Sequence, residues 1–177
     1  MTAPRYRFAP LGGDYDLGAF DCGHDGYNRW LTDYAETAVK AGTSGVYLLL
    51  EETPERRARV MGCYAIAPTA VVRAELPRAA AGGAPDPVPS FLLAKIALDR
   101  TLQGDKDAMW GAQLVVGALR RIVQAANVGR VIIVDADNER LLPFYASHSF
   151  LPTTVHSLRL YMKVATARKL IEQHETR

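Results

Sequence analysis

Two cysteines, Cys22 and Cys63, are all that the 177-residue sequence contains. There is no CxxC pair and no Cys/His cluster, and His24, His148, His156 and His174 are scattered without ligand spacing. A disulfide framework and a structural zinc site therefore have little to build on. The expectation is two free thiols and no metal, with a single Cys22–Cys63 bridge left open by sequence. Long apolar runs are also missing. Nothing approaches the roughly 18 residues of a membrane span, and the opening MTAPRYRFAPLGG has no apolar core of the secretory kind. Both absences predict a cytoplasmic protein with no membrane partner. Neither charge sign dominates: 21 Lys and Arg against 19 Asp and Glu leave +2. The pI near 8.6 stays below the roughly 9 that marks dedicated nucleic-acid domains. A polyanionic partner is allowed by this balance but not demanded.

What is present is ordinary globular material, 49% hydrophobic and 23% charged, of a length that fits one domain over residues 1–177. Residues 5–11 alternate weakly and predict a first strand. From Asp25 to Lys40, Tyr27, Trp30, Leu31, Tyr34, Ala35, Ala38 and Val39 recur at helical steps, with Asp25 as cap and Gly42 as stop. Strands are expected at Val46–Glu52 and Arg59–Ala67, joined by the turn TPERRA, with Thr69–Leu76 a third strand or a bent extension. Ala79–Pro89 is rich in Gly and Pro and reads as a surface loop. Ser90–Asp99 is nearly all apolar, the pattern of a central strand buried on both faces.

A helix at Gly111–Ala126 follows, with Leu114, Val115, Ala118, Leu119, Ile122 and Val123 along one stripe. Then come a strand at Arg130–Asp135, a helical stretch at Asn138–Ser147 interrupted by Pro143, and a strictly alternating strand at residues 157–164. A polar helix closes the chain at 165–177. The order gives an α/β (α+β) class without internal repeats.

One stretch carries chemistry. LLAKIALD at 92–99, LQG at 102–104, GAQLVVGALRRI at 111–122, VDADNERLLPFY at 134–145 and SF at 149–150 resemble the GNAT superfamily of N-acetyltransferases. Within it, the chain looks most like the tRNA-acetylating toxins of type II toxin–antitoxin systems. FDCGHDGYNRWL at 20–31 and GCYAIAP at 62–68 agree with that family in order. The resemblance implies a single GNAT-like domain, a mixed central sheet with splayed central strands flanked by helices. It also implies acetyl-CoA as co-substrate, the α-amine of aminoacyl-tRNA as acceptor, an antitoxin as partner, and a homodimer.

The site residues it implies have physical reasons. A strand ending at Ile96, Ala97 and Leu98 that splays from a parallel neighbour leaves backbone groups free for the pantetheine amides. The loop and helix start that follow, with Gln103, Gly104, Lys106, Gly111 and Ala112, offer N–H groups and one cation to the pyrophosphate. Family members fill this loop with a tight Q/R-x-x-G-x-G/A run. Here Asp105-Lys106-Asp107-Ala108-Met109-Trp110 makes it longer, and two aspartates near a pyrophosphate are unhelpful.

Tyr145 falls on the family's catalytic tyrosine. A phenol with pKa near roughly 10 is a protonated donor at neutral pH, suited to a general acid; the alternative is a core aromatic. Asn138 is either a contact to the cofactor arm or a helix cap. Asp135 and Asp137 do not read as a catalytic carboxylate pair. Candidate RNA contacts are Arg73, Arg78, Arg120, Arg121, Arg130, Arg140, Arg159, Lys163, Arg168 and Lys169. Arg29, Arg56, Arg57 and Arg59 make a second group. Two other functions stay open at this point. One is acetylation of a small amine or a protein N-terminus. The other is a non-catalytic module with a degenerate loop, in which Met109 and Trp110 anchor a protein.

Overall fold

The structure is a computed structural model that describes residues 4–54, 56–125 and 129–176. Glu55 of the expected turn, Ala126 and Arg177 at the ends of two expected helices, and the first three residues of the opening segment lie outside the described residues. The chain folds as two compact units, one from residues up to Ile66 plus Lys95–Gly117, the other from Ala67–Ala94 plus residues from Ala118 on. Three elements run from one unit into the other: β3 (Arg56–Val71), β4 (Val88–Leu98) and α4 (Trp110–Ala125).

The first unit holds β1 (Arg5–Pro10), α1 (Asp25–Asp33), α2 (Ala35–Lys40) and β2 (Gly45–Thr53). Its strands lie in the order β1-β2-β3, all antiparallel, with Phe8 opposite Leu49 and Leu48 opposite Cys63. Leu48, Leu49 and Leu50 are all buried, so β2 is apolar on both faces. The helix expected over 25–40 is two helices broken at Tyr34, whose backbone leaves the helical region and whose side chain is 63% exposed. Leu31 and Ala35 hold the apolar face. The cap is His24, which accepts the Tyr27 N–H, and Asp25 is the first helical residue.

The second unit contains α3 (Arg78–Ala81), β5 (Val131–Asp135), α5 (Leu142–Ser147), β6 (Leu151–Pro152), β7 (Arg159–Lys163) and α6 (Val164–Glu175). Strand order there is β4-β5-β7-β6. β4 and β5 are parallel, and the others pair antiparallel, so the sheet is mixed. The segment expected as a surface loop at 79–89 is instead partly core. Ala80, Ala81, Ala84 and Val88 are buried with Val71, Leu76, Val131, Ile133 and Tyr161. Alanines are small enough for a short helical turn to approach a sheet closely. β7 does not alternate: Leu160, Tyr161 and Met162 are all buried. Thr69–Leu76 is the extension of β3 to Val71 followed by a 3-10 turn, not a separate strand.

Candidate active site

The parallel ladder of β4 and β5 pairs Ser90–Leu92 with Val131–Ile133, and β4 runs on to Leu98. Along that run the expected burial on both faces does not hold: Ile96, Ala97 and Leu98 are only half-buried. An apolar strand end left partly uncovered suits an extended ligand lying along it. Gly62 of β3 permits a close approach here. A Cβ at that position would meet the Ala97 carbonyl oxygen at 3.2 Å and Leu114 Cδ2 at 3.3 Å.

The end of β4 is fixed by two side chains. Asp99 is 2% exposed. It accepts the Thr101 N–H at 3.0 Å, the Thr101 hydroxyl at 2.7 Å and the Asp21 N–H at 3.2 Å, with Arg59 at 3.7 Å. Gln103 donates its amide to the Leu98 carbonyl at 2.7 Å and to the Cys22 carbonyl at 2.9 Å. Its side chain therefore ties the 20–24 loop to the strand end. Asp99 closes the LLAKIALD motif, and the resemblance assigns it no role. Its short side chain after an apolar strand and two residues before Thr101 was the available signal.

The lengthened loop closes on itself. Gly104 adopts φ +80°, a left-handed backbone open to glycine. Asp105 accepts the N–H of Asp107 at 3.0 Å and of Ala108 at 2.9 Å. The carboxylate that looked unhelpful is thus the turn's own staple. Lys106 and Met109 are exposed, whereas Trp110 packs on Tyr6 with ring centroids 4.3 Å apart. The α4 ladder begins with the Gln113 N–H on the Met109 carbonyl at 3.1 Å. The N–H groups of Trp110, Gly111 and Ala112 precede it, at the positive end of a 16-residue helix.

In the second unit, Asn138 caps a 3-10 turn at Glu139–Leu141 by accepting the Arg140 N–H at 3.0 Å. Pro143 lies in the first turn of α5. Tyr145 is 4% exposed, and its ring meets Phe144 and Phe150 edge-on at centroid distances of 5.2 and 5.9 Å. Burial, with the Asp137 charge adding to it, pushes the phenol up to about 12. Asp135 is held by Arg159 at 2.7 and 3.0 Å and is not a free base. The Cys63 thiol is buried and pushed up to about 12, so it is inert as a nucleophile. Among the described residues no group of three or more His, Cys, Asp and Glu is placed to hold a metal, and no helix is long and apolar enough to cross a membrane.

A search against protein-family models found no match. A tRNA-acetylating toxin of Mycobacterium tuberculosis (strain ATCC 25618 / H37Rv) is 37% identical over 158 residues, 88% of this chain and 90% of the relative. This chain belongs to the tRNA-acetylating toxin family. Solved structures of toxins agree with that membership. AtaT complexed with acetyl-methionyl-tRNAfMet matches with a TM-score of 0.82 and 31% identity, over 94% of this chain and 99% of that one. A Tyr-to-Phe mutant of the AtaT toxin, bound to the C-terminus of the antitoxin AtaR and acetyl-CoA, matches with a TM-score of 0.77 and 29% identity, over 93% and 97%. The GNAT resemblance first read from residues 20–150 of this toxin-family chain is thus met along nearly its whole length.

Proposed function

We propose that this protein moves the acetyl group of acetyl-CoA to the α-amine of an aminoacyl-tRNA, as the toxin of a toxin–antitoxin pair with a protein antitoxin as partner. That acceptor places it in the cytoplasm. Residues 1–177 act in this reading as one GNAT-like domain, since β3, β4 and α4 each belong to both units.

The observation that carries the reading is the half-covered end of β4 leading through a self-closed loop into the free first turn of α4. The fit to acetyl-CoA follows from donor chemistry. Backbone groups of Ile96, Ala97 and Leu98 suit the pantetheine amides. The N–H groups of Gly111 and Ala112, with Lys106 on the loop, suit the pyrophosphate. Gln103 and Gly104 shape the loop, and Asn138 keeps its NH₂ donors while its oxygen caps. Because Asp105 turns its carboxylate to the N–H groups of Asp107 and Ala108, the longer loop is a folded turn, which favours an adapted anion site over a degenerate one.

Acetyl-CoA supplies the acetyl thioester. The acceptor nitrogen bonds to the acetyl carbon, the carbon–sulfur bond breaks, and the Tyr145 phenol gives its proton to the departing sulfur before recovering one from solvent. With its pKa raised to about 12 the phenol is fully protonated at neutral pH. No base is required of the protein, because an α-amine titrates at roughly 7.7–8.0 against about 10.4 for lysine. Water can take its proton.

The test is calorimetric titration with acetyl-CoA together with charged-tRNA acetylation, for the wild type and Tyr145→Phe. We expect both proteins to bind acetyl-CoA in the micromolar range. We expect kcat to fall by roughly 100- to 10,000-fold in the variant. Wild-type protein that binds no acetyl-CoA at millimolar concentration would sink the enzyme reading.

A further inference from the structure

We propose that Arg130, Lys163 and Arg168 form a subsite for RNA phosphates; this deepens the reading above and rests on it. The three side chains line one surface hollow of about 440 Å³ in the second unit. Among the described residues no acidic side chain lines it, and its other walls are alanine, glycine and valine. Sequence alone placed these cations among many candidates and could not bring them together. The fold does so through the β5–β7 register, which sets Val131 opposite Lys163, and through the Arg130 carbonyl, which accepts the Val164 N–H at 3.1 Å.

Arg130 is held in place without losing its charge. Its Nε donates to the Ala80 carbonyl at 3.2 Å and its Nη2 to the Gly82 carbonyl at 3.1 Å. None of the three cations has a carboxylate ion-pair partner among the described residues. Arg159, four residues before Lys163, is by contrast neutralised by Asp135 and Glu75. The N–H of Val164 is already taken, so the cations rather than the start of α6 supply the attraction. Aromatic and Met anchors, the usual marks of a protein-binding hollow, are missing from the lining among the described residues. A pinned guanidinium with two further unpaired cations around small side chains suits a phosphate backbone, which is bound by charge and not by shape.

The experiment measures tRNA binding by fluorescence anisotropy across a salt series, for the wild type and for Lys163→Gln combined with Arg168→Gln. Arg130 is left intact because it braces the α3 turn. We expect weaker binding in the double variant and a salt slope reduced by about one per cation removed. Thermal stability and acetyl-CoA affinity should not change. The charge-preserving pair Lys163→Arg and Arg168→Lys should keep the wild-type slope.

An unchanged slope in the double variant overturns the subsite. So does a loss confined to acetyl-CoA affinity, which would make a coenzyme phosphate the occupant, or a loss confined to antitoxin binding. The readout needs only RNA binding. A wild type that binds tRNA with this cation dependence yet acetylates no charged tRNA would overturn the proposed function and leave the subsite standing.

Discussion

The two compact units treat their arginines differently. In the first, Arg7 pairs with Glu52 at 2.7 Å, Arg59 with Asp99 at 3.7 Å, Arg100 with Asp21 at 3.5 Å, Arg56 with Glu51 and Arg57 with Asp14. In the second, Arg159 and Arg120 have carboxylate partners, but Arg73 donates to the Ala84 carbonyl and Arg130 to two carbonyls. A carboxylate cancels the field of its partner; a carbonyl orients the guanidinium and leaves the charge facing solvent. The net +2 of the chain hides this division. Pairing, and not the count of basic residues, decides which face attracts a polyanion. The contrast is one of degree: among the described residues most arginines of the first unit have a carboxylate partner, Arg5 and Arg29 excepted, whereas fewer of the second unit's do.

The largest expected effect tests the first half of that contrast. Asp99→Ala deletes the acceptor for Thr101 and Asp21 and leaves Arg59 without its carboxylate. A loss of about 3 kcal/mol is expected, in line with breaking a buried charged hub. That corresponds to a melting-temperature drop of roughly 10 °C for a chain of this size. Acetyl-CoA affinity should fall as well, because the end of β4 and the 20–24 loop share this anchor. Scanning calorimetry should show one transition if residues 1–177 act as the one domain proposed above. A neutral Asp99→Ala would remove the structural role assigned to the first unit's charges, and two separate transitions would break the one-domain reading.

The legibility of the sequence divides along a similar line. Local signals carried far: the apolar run before Asp99, the Gln103-Gly104 pair and the VDADNE run located the strand end, the loop and Tyr145. The sequence did not show that one of the loop's two aspartates, Asp105, faces its own turn, although an aspartate two and three residues before the N–H groups it accepts is a readable turn signal. Tertiary choices were not readable. The helical spacing of Tyr34 argued for one helix, yet the chain breaks there and exposes the ring. Gly and Pro around Ala80 and Ala81 argued for a loop, yet those small side chains are what the sheet accepts. The meeting of Arg130 with Lys163 depends on strand register between segments far apart in sequence, which no local pattern encodes.

An intermediate effect compares one tyrosine from each unit. Tyr6 and Tyr145 are both pushed up to about 12. For Tyr6 the causes are burial, then its hydrogen bond to Glu51 at 2.8 Å and that residue's charge. For Tyr145 burial leads and Asp137 adds to it. A folded-state pKa above the unfolded value means the native state holds its proton longer. Stability is therefore fully present below roughly pH 10 and is lost as pH rises from there toward about 12. Ultraviolet difference titration should place the Tyr6 and Tyr145 phenols among the late-ionising ones, and Tyr145→Phe should remove one phenol from that late phase. Glu51→Gln should lower only the other. If Glu51→Gln leaves both unchanged, charge is not what holds the first unit's tyrosine.

The smallest effect gives the sharpest contrast. Arg57 pairs with Asp14 at the surface, with the two side chains 59% and 91% exposed. Such pairs contribute about 0.2–1 kcal/mol, so Arg57→Gln should barely move the melting temperature. Its effect on tRNA binding is the informative quantity. A cation already cancelled by a carboxylate releases little counterion on meeting a phosphate, so the salt slope should match the wild type. Arg168→Gln alone, equally conservative in size, should reduce the slope by about one. Both variants remove one positive charge from the same chain, so a mere net-charge effect predicts equal slopes. Equal slopes would erase the distinction between the two units. Unequal ones would show that the carboxylate beside an arginine, more than the arginine itself, sets whether RNA is drawn to that face.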